Sequence, residues 1–499
     1  MNEHRLRDMF ARVAEACKKY EYVFLCCIFA FAASVCFYCL PTNPVSWFDE
    51  GIYHQIVTNM TSHGFSGLQL SPGNNYGMAL ISVGYPVFYP AVAAFKMFGD
   101  SIVILRLVAI AFIFGFLFAF YALGRELYGR RAALVGTALL ATFSPLYGDG
   151  KNFLGEVPGL FYLTAGLWCL ARMERSGRKS FFAIFAGLLI GFAAASKPLY
   201  LLILPAMFVG AIWHAKTYFG TSEGRKIMGL FFVGLVPALV AWYATQFGIT
   251  SSLSHVLAHY SNPNDVSTTA SSVLVNLRRF ITESTPIHFF VLFALAVAAL
   301  WPPRGKRRLP EIILVTFSFL VFFSYVRTIG WYRYLFPGQA LLFLFFVPGV
   351  ERLVRAVPRV RAYAPSTALG CAVLLLAAQG VVMRQERFIC KMDAPTAIAP
   401  LFKEIQSHES VLFYNLPQLV ARYPWMNYSQ WIRMHDHFTI GVDAQAGLDQ
   451  GAYDWVFISE NSGIFHLDIP TCYMPIQKTF GVDVYRRMNG RDCSKTESK

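Results

Sequence analysis

Long apolar stretches dominate this sequence, and short polar segments separate them. A helix that crosses a bilayer needs about 20 mostly apolar residues, and about eleven stretches approach or exceed that length. The predicted spans are 22–40, 103–123, 132–148, 155–171, 181–196, 198–214, 227–248, 286–302, 309–326, 334–350 and 363–383. The pattern therefore predicts an all-α polytopic membrane domain over residues 1–383.

Lysine and arginine are distributed unevenly among the segments between these spans. They concentrate in residues 1–20, 124–131, 172–180, 214–226, 303–309 and 351–361, which alternate with segments that hold few. Cytoplasmic loops carry such an excess of positive charge. We therefore expect the N-terminus in the cytoplasm. A first outer loop at 41–102, a long outer loop at 249–285 and the tail at 384–499 then lie outside the cytoplasm.

The tail, residues 384–499, follows a different pattern from the rest of the chain. It is more polar and contains strand-like runs at 411–414 and 455–458, with a helix-like stretch at 396–406. We interpret it as a small extracytoplasmic α/β domain.

Composition narrows the class of protein. Hydrophobic residues make up 56% of the 499 positions and charged residues 14%, whereas soluble proteins average about 45–50% and about 25%. A soluble enzyme, a disordered protein and a nucleic-acid binder are thereby excluded, and the lipid bilayer is a partner. The basic inner loops account for the net charge of +14.

Most of the ten cysteines lie in or beside apolar segments, where cysteine packs as a small hydrophobic residue. We interpret Cys36 and Cys39 in this way, although their spacing also occurs in metal sites. Cys390, Cys472 and Cys493 lie in the predicted outer tail, where disulfides can form. Cys390 is the expected partner of one of the other two.

Two adjacent carboxylates, Asp49 and Glu50, follow the first predicted span among aromatic side chains. A carboxylate near apolar groups is desolvated and becomes more basic, which suits a general base. The alternative is structural: Asp49 caps the N-terminus of a helix.

A series of short strings follows the acidic pair. They lie at 84–90, 98–101, 105–107, 124–133, 144–146, 151–153, 156–158, 196–198 and 333–337. In this order and spacing the chain resembles the polytopic glycosyltransferases of the GT-C fold, in particular the protein O-mannosyltransferase and aminoarabinose lipid A transferase group. The resemblance covers roughly residues 40–340. The family's His-Pro-Pro type string is replaced here by Gly84-Tyr85-Pro86.

The resemblance implies an enzyme that takes a sugar from a polyprenyl-phosphate carrier and transfers it to a lipid, glycan or protein acceptor outside the cytoplasm. Asp49 matches the catalytic base of the family, and Glu50 the neighbouring acid that orients the acceptor or binds the sugar. A bacterial inner membrane, with the active site facing the periplasm or exterior, is the expected location.

A leaving phosphate needs cations on the outer side, where Lys and Arg are scarce. The candidate residues for the carrier phosphate and substrate are Arg106, Lys151, Glu156, Lys197, Arg333 and Tyr334. Arginine binds phosphate in a bidentate manner, and lysine acts as a point charge. The alternative for the basic residues is that they extend from helix ends toward the membrane surface.

The cofactor requirement is left open. His255 and His259 are weak candidate ligands for a divalent cation because their i, i+4 spacing places both on one face of a helix. Some enzymes of this fold need a metal and others do not. The alternative function is a transporter or flippase of a lipid-linked sugar, but the sequence has no internal repeat, which such proteins tend to show.

Overall fold

A computed structural model describes residues 19–248, 252, 254, 270–301, 308–328, 330–435, 438–460, 467–488, 490–491 and 493. The described chain is mostly helical. It divides into two compact units. The first comprises Met1–Tyr38, Ser82–Val87 and Leu107–Ile389, and the second Cys39–Ile81, Phe88–Arg106 and Cys390–Lys499.

Helices account for most of the described residues. They are α1 Glu21–Phe37, α2 Phe48–Thr58, α3 Tyr85–Phe98, α4 Ile102–Tyr128, α5 Arg130–Ala141, α6 Pro145–Lys151, α7 Glu156–Met173, α8 Lys179–Ser196, α9 Ile203–Trp213, α10 Ala215–Tyr218, α11 Ser222–Phe247, α12 Ala270–Thr282, α13 Ser284–Leu300, α14 Leu309–Arg327, α15 Tyr332–Leu342, α16 Phe346–Ala356, α17 Ala364–Arg387, α18 Ala394–Ile398, α19 Pro417–Val420 and α20 Ala444–Asp449.

Many of these helices suit a membrane. Six described helical segments are long and apolar enough to cross one, and up to eight if each of two bent helix pairs counts as one span. The protein is therefore an integral, multi-pass membrane protein, and the number of about eleven spans stays a prediction. The expected span 132–148 is divided, since α5 ends at Ala141 and α6 begins at Pro145. Proline lacks the amide hydrogen that would continue the helix and disfavours helical backbone at the preceding residue.

Helices α8 and α11 of the first unit approach each other very closely at glycines. A Cβ atom at Gly187 would lie 2.0 Å from the carbonyl oxygen of Phe231, and one at Gly234 would lie 2.1 Å from that of Ile184. Small residues allow such backbone approach between membrane helices, where packing supplies much of the association energy.

We therefore expect Gly234→Ala to destabilise the protein by about 1–3 kcal/mol, because the added methyl group must displace a backbone atom. Gly229 lies in the same helix, and a Cβ atom there would have no neighbouring atom within 4 Å. Gly229→Ala is the matched control and should be neutral or gain about 0.5–1 kcal/mol from higher helix propensity. Thermal unfolding of the purified variants in detergent measures the difference. Equal midpoints for the two would contradict the close approach.

The second unit is built around a mixed sheet. The strands are β1 Leu68–Ser71, β2 Asn74–Tyr76, β3 Val411–Tyr414, β4 Tyr428–His435, β5 Phe438–Gly441, β6 Trp455–Ser459, β7 Tyr473–Thr479 and β8 Val482–Arg487. β1 and β2 form a hairpin, and the other six strands form one sheet in the order β5-β4-β3-β6-β8-β7. β3 pairs in parallel with β4 and β6. Its residues are buried on both faces, which explains the continuous apolar run at 411–414.

Two disulfides lie in this unit, and they differ from the expected pairing. Cys390 bonds to Cys39, and Cys472 bonds to Cys493. The expectation that Cys390 pairs with Cys472 or Cys493 is wrong, as is the interpretation of Cys39 as a packed helical residue. The first apolar helix ends at Phe37, so Cys39 lies beyond it, where its side chain can reach the tail.

Candidate functional site

The acidic pair lies in the first turn of α2. Asp49 is half-buried, and Glu50 is 1% exposed. The backbone N–H of Trp47 donates to Oε2 of Glu50 over 3.4 Å. The first turn of a helix leaves backbone N–H groups unbonded and carries partial positive charge, so both carboxylates are favoured there.

Arg106 holds Glu50 through two hydrogen bonds. Its Nε donates to Oε1 over 2.9 Å, and its Nη2 donates to Oε2 over 2.7 Å. Its Nη1 donates to the carbonyl oxygen of Leu40 over 2.8 Å. The guanidinium is completely buried. The structure therefore brings two predicted site residues together as a buried bidentate ion pair.

Farther along α2, His54 and Thr58 contact Asp100. The distance from Nε2 of His54 to Oδ1 of Asp100 is 2.7 Å, and Oγ1 of Thr58 donates to Oδ2 over 2.6 Å. Burial raises the pKa of Asp100, but the contacts with His54 and Thr58 outweigh it, so the pKa lies below its ordinary value. These contacts fix the helix that carries the acidic pair to the turn before α4.

In the first unit, Glu156 and Lys197 form a second buried ion pair, between Oε1 and Nζ. The hydroxyl of Tyr200 donates to the backbone carbonyl of Glu156. Oε2 of Glu156 is buried and has no hydrogen-bond partner among the described residues. The pair therefore leaves one carboxylate oxygen available to a further donor.

Lys151 lies at the end of α1 within the same unit. Its Nζ donates to the carbonyl oxygens of Val35 and Tyr38 over 3.2 and 3.1 Å. Carbonyl oxygens at a helix C-terminus carry partial negative charge and favour a cation. Lys151 therefore stabilises the end of the first apolar helix.

Arg333 is half-buried beside two aromatic rings. Its guanidinium carbon lies 4.7 Å from the ring centre of Trp331 and 5.3 Å from that of Tyr334. Asp149 is a half-buried residue of α6. It interacts electrostatically with Glu156, Arg333, Arg387 and Lys197. The first unit thus gathers acidic and basic groups around α6 and α7.

Each unit holds one further arginine near charged groups of that same unit, and the sequence pattern singles out neither arginine. Nε of Arg387 donates to Oγ of Ser144 over 2.8 Å in the first unit. Arg422, in the second unit, interacts electrostatically with Glu50 and Arg106. Arg387 follows the last predicted span, in a tail where Lys and Arg are not scarce, so the criterion that selects Arg106 does not mark it. Nothing in the sequence marks Arg422.

The two candidate metal ligands belong to the predicted outer loop 249–285. His255 and His259 lie outside the described residues. Within the described part of the chain, no three His, Cys, Asp or Glu residues are grouped so as to hold a metal ion.

Comparisons with known proteins relate the chain to glycosyltransferases. A family model described as dolichyl-phosphate-mannose-protein mannosyltransferase matches residues 86–242. No curated protein sequence matches the chain. The structure of ArnT from Cupriavidus metallidurans bound to undecaprenyl phosphate is similar, with a TM-score of 0.62 and 14% identity over 96% of this chain and 100% of that one.

The archaeal oligosaccharyltransferase AglB from Archaeoglobus fulgidus, in complex with an inhibitory peptide and a dolichol-phosphate, is also similar. Its TM-score is 0.58, with 12% identity over 89% of this chain and 70% of that one. The resemblance to polytopic glycosyltransferases of the GT-C fold is thereby confirmed.

Proposed function

We propose that this chain is an integral membrane glycosyltransferase that transfers a sugar from a polyprenyl-phosphate carrier to an acceptor outside the cytoplasm. The observation that carries the proposal is the fold similarity to ArnT, which extends over nearly all of both chains and involves a protein bound to undecaprenyl phosphate. The family model for mannosyltransferases that use dolichyl phosphate supports the same class of donor.

The proposed reaction is a substitution at the anomeric carbon of the sugar. A bond forms between the acceptor oxygen and this carbon, and the bond from the carbon to the phosphate oxygen breaks. The electron pair leaves with the polyprenyl phosphate. Asp49 takes the proton of the acceptor hydroxyl, since it is a half-buried carboxylate next to Glu50, which Arg106 holds in place. Glu50, held by Arg106, orients the acceptor or the sugar hydroxyls.

The departing phosphate requires positive charge. Among the proposed cations, Arg106 is bound by both carboxylate oxygens of Glu50 and by the carbonyl oxygen of Leu40, and Lys151 is bound by carbonyl oxygens at the end of α1, which favours a positioning role for both. Lys197 is paired with Glu156, whose second carboxylate oxygen accepts no hydrogen bond from the described residues. Lys197 and Arg333 stay our proposal for binding the carrier phosphate, with Tyr334 beside Arg333. Arginine suits this task because its planar guanidinium matches two phosphate oxygens.

The two disulfides support an orientation with the second unit outside the cytoplasm, in the periplasm of a bacterium. Disulfides persist in oxidising compartments and are rare in the cytosol. We expect mass spectrometry of unreduced protein from native membranes to detect peptides that link Cys39 to Cys390 and Cys472 to Cys493. Alkylation of all four as free thiols in freshly isolated membranes would contradict this orientation.

The function itself is tested by comparing cells that express the chain with cells that lack it. Mass spectrometry of polyprenyl-phosphate sugars, lipids, glycans and envelope proteins should show one carrier-linked sugar accumulating without the chain and the same sugar missing from one acceptor. Purified chain should then release undecaprenyl phosphate from one member of a panel of undecaprenyl-phosphate hexoses and pentoses when membranes supply the acceptor. No change in any pool, and no release, would overturn the proposal.

A further inference from the structure

The segment before α2 is joined to the tail at two points. Cys39 forms its disulfide with Cys390. Seven residues later, the backbone N–H and the hydroxyl of Ser46 donate to Oδ2 of Asp393 over 3.1 and 2.7 Å. Ser46 precedes Asp49 by only three residues. The attachment therefore lies directly beside the acidic pair, within the second unit.

Asp393 is the centre of a four-residue cluster with Ser46, Thr396 and Arg422, which we call the Asp393 cluster. Its Oδ1 accepts from the backbone N–H of Thr396 over 3.0 Å, so the same carboxylate caps α18. Nη1 of Arg422 donates to Oγ1 of Thr396 over 3.1 Å, and Nη2 donates to Oγ of Ser46 over 3.3 Å. Nη2 also lies 3.8 Å from Oδ2 of Asp393.

The two charged side chains of the Asp393 cluster are largely removed from solvent. The side chain of Asp393 is 3% exposed, and that of Arg422 is 18% exposed. Burial raises the pKa of Asp393, but hydrogen bonds from Thr396 and Ser46 and the charge of Arg422 outweigh it, so the pKa lies below its ordinary value. The carboxylate is therefore charged at neutral pH, and charge-assisted hydrogen bonds are stronger than neutral ones.

A second contact with the tail is made by α2 itself, at a glycine. A Cβ atom at Gly51 would lie 2.3 Å from the backbone nitrogen of Gln418. Nε2 of Gln55, one turn farther along α2, donates to the carbonyl oxygen of Pro417 over 3.0 Å. Thus α2 packs against α19 at backbone distance, and the Asp393 cluster fixes the residues that lead into it.

We propose that Asp393 and Arg422 are positioning residues for the transfer reaction, and that the tail thereby completes the active site by setting the place of Asp49 and Glu50. This inference rests on the proposed function. Neither residue need touch substrate. A misplacement of about 1 Å in a catalytic group can cost about 10²-fold in rate, and the cluster controls the helix at its first turn.

The test compares Asp393→Asn with Asp443→Asn. Asp443 is a matched control because it caps α20 in the same tail, accepting from the backbone N–H of Ala446 over 3.0 Å, and is exposed. With the panel donor that the wild type consumes fastest, we expect kcat of Asp393→Asn to fall about 10²-fold, while KM for the donor changes less than about threefold. Asp443→Asn should keep wild-type kinetics.

Arg422 offers a second comparison. Arg422→Gln should lower kcat like Asp393→Asn, and Arg422→Lys should recover part of it because the charge is retained. Hydrogen exchange of the backbone amides at 46–52 should quicken in Asp393→Asn and stay unchanged in Asp443→Asn. If Asp393→Asn does not fold, Ser46→Ala replaces it in both measurements, since it removes the hydroxyl's bonds to Asp393 and Arg422 and keeps the backbone bond to Asp393.

The outcomes separate this inference from the function on which it rests. If Asp49→Asn is inactive while Asp393→Asn and Arg422→Gln match Asp443→Asn in kcat and exchange, the positioning role is overturned and the function stands. The positioning role is also overturned if KM rises in Asp393→Asn by the same factor as kcat falls and Arg422→Lys recovers no activity. No release of undecaprenyl phosphate by the wild type overturns the function itself, whereas an active Asp49→Asn overturns only the role of Asp49 as the base.

Discussion

Asp49→Asn is expected to remove sugar transfer while leaving the folded protein in the membrane. A positioned general base typically contributes about 10²–10⁴-fold to a rate, so turnover should fall by that factor. The substitution nearly keeps the size of the side chain, removes its negative charge and replaces one acceptor oxygen by an amide N–H donor. Release of undecaprenyl phosphate in single-turnover experiments, together with the carrier-linked sugar pool in cells, measures the loss.

The control for Asp49→Asn is Asp449→Asn in the tail. Asp449 is exposed and accepts a hydrogen bond from Gln445 over 2.9 Å. It should keep full activity. Loss of the charge of Asp49 from the first turn of α2 should cost about 0.3–1 kcal/mol at most, so the thermal midpoints should be similar. Near-normal turnover of Asp49→Asn would mean that the carboxylate serves only the helix N-terminus.

Arg106→Met is expected to be the most destabilising single substitution. It removes the guanidinium that neutralises Glu50, and both groups are at most 1% exposed. Breaking one side of a buried ion pair costs about 3–5 kcal/mol because the remaining charge keeps its desolvation penalty. Thermal or denaturant unfolding in detergent, with retained protein quantified in membranes, measures the loss.

The double variant with Glu50→Gln separates charge from packing. Removing both charges should recover much of the stability lost in Arg106→Met, since replacing a buried pair by uncharged groups is often neutral. Its activity should stay low if Glu50 orients a substrate. Lys179→Met, which breaks the exposed pair with Glu223, should change stability little. A double variant no more stable than Arg106→Met would contradict the account of the pair.

The sequence identifies the unusual outer cations, but it does not show which groups bind them. The scarcity of outer cations selects Arg106 and Lys151, and both are buried. Their partners could not be predicted: Glu50 lies 56 positions from Arg106, and the carbonyl oxygens that Lys151 contacts lie more than 110 positions away. Composition and spacing report that a charge occurs in an unusual place, whereas tertiary folding decides which group neutralises it.

The limits of local pattern also explain the cysteine result. Hydropathy continues past Phe37 to Leu40, so it could not show that α1 ends before Cys39. The apolar runs at 411–414 and 455–458 form neighbouring strands β3 and β6. Their parallel pairing and the place of β4 beside them depend on contacts between distant segments. The role of Arg422 likewise depends on a loop more than 370 residues earlier.

The bond between Cys39 and Cys390 has a consequence for biosynthesis. The two residues are 351 positions apart. A ribosome that adds 5–20 residues per second needs about 20–70 s to make the intervening chain. Throughout that time the thiol of Cys39 has no Cys390 with which to form its disulfide. A ribosome that stalls between residues 49 and 390 therefore leaves a chain that contains Asp49 but lacks the tail residues to which Cys39 and Ser46 bond.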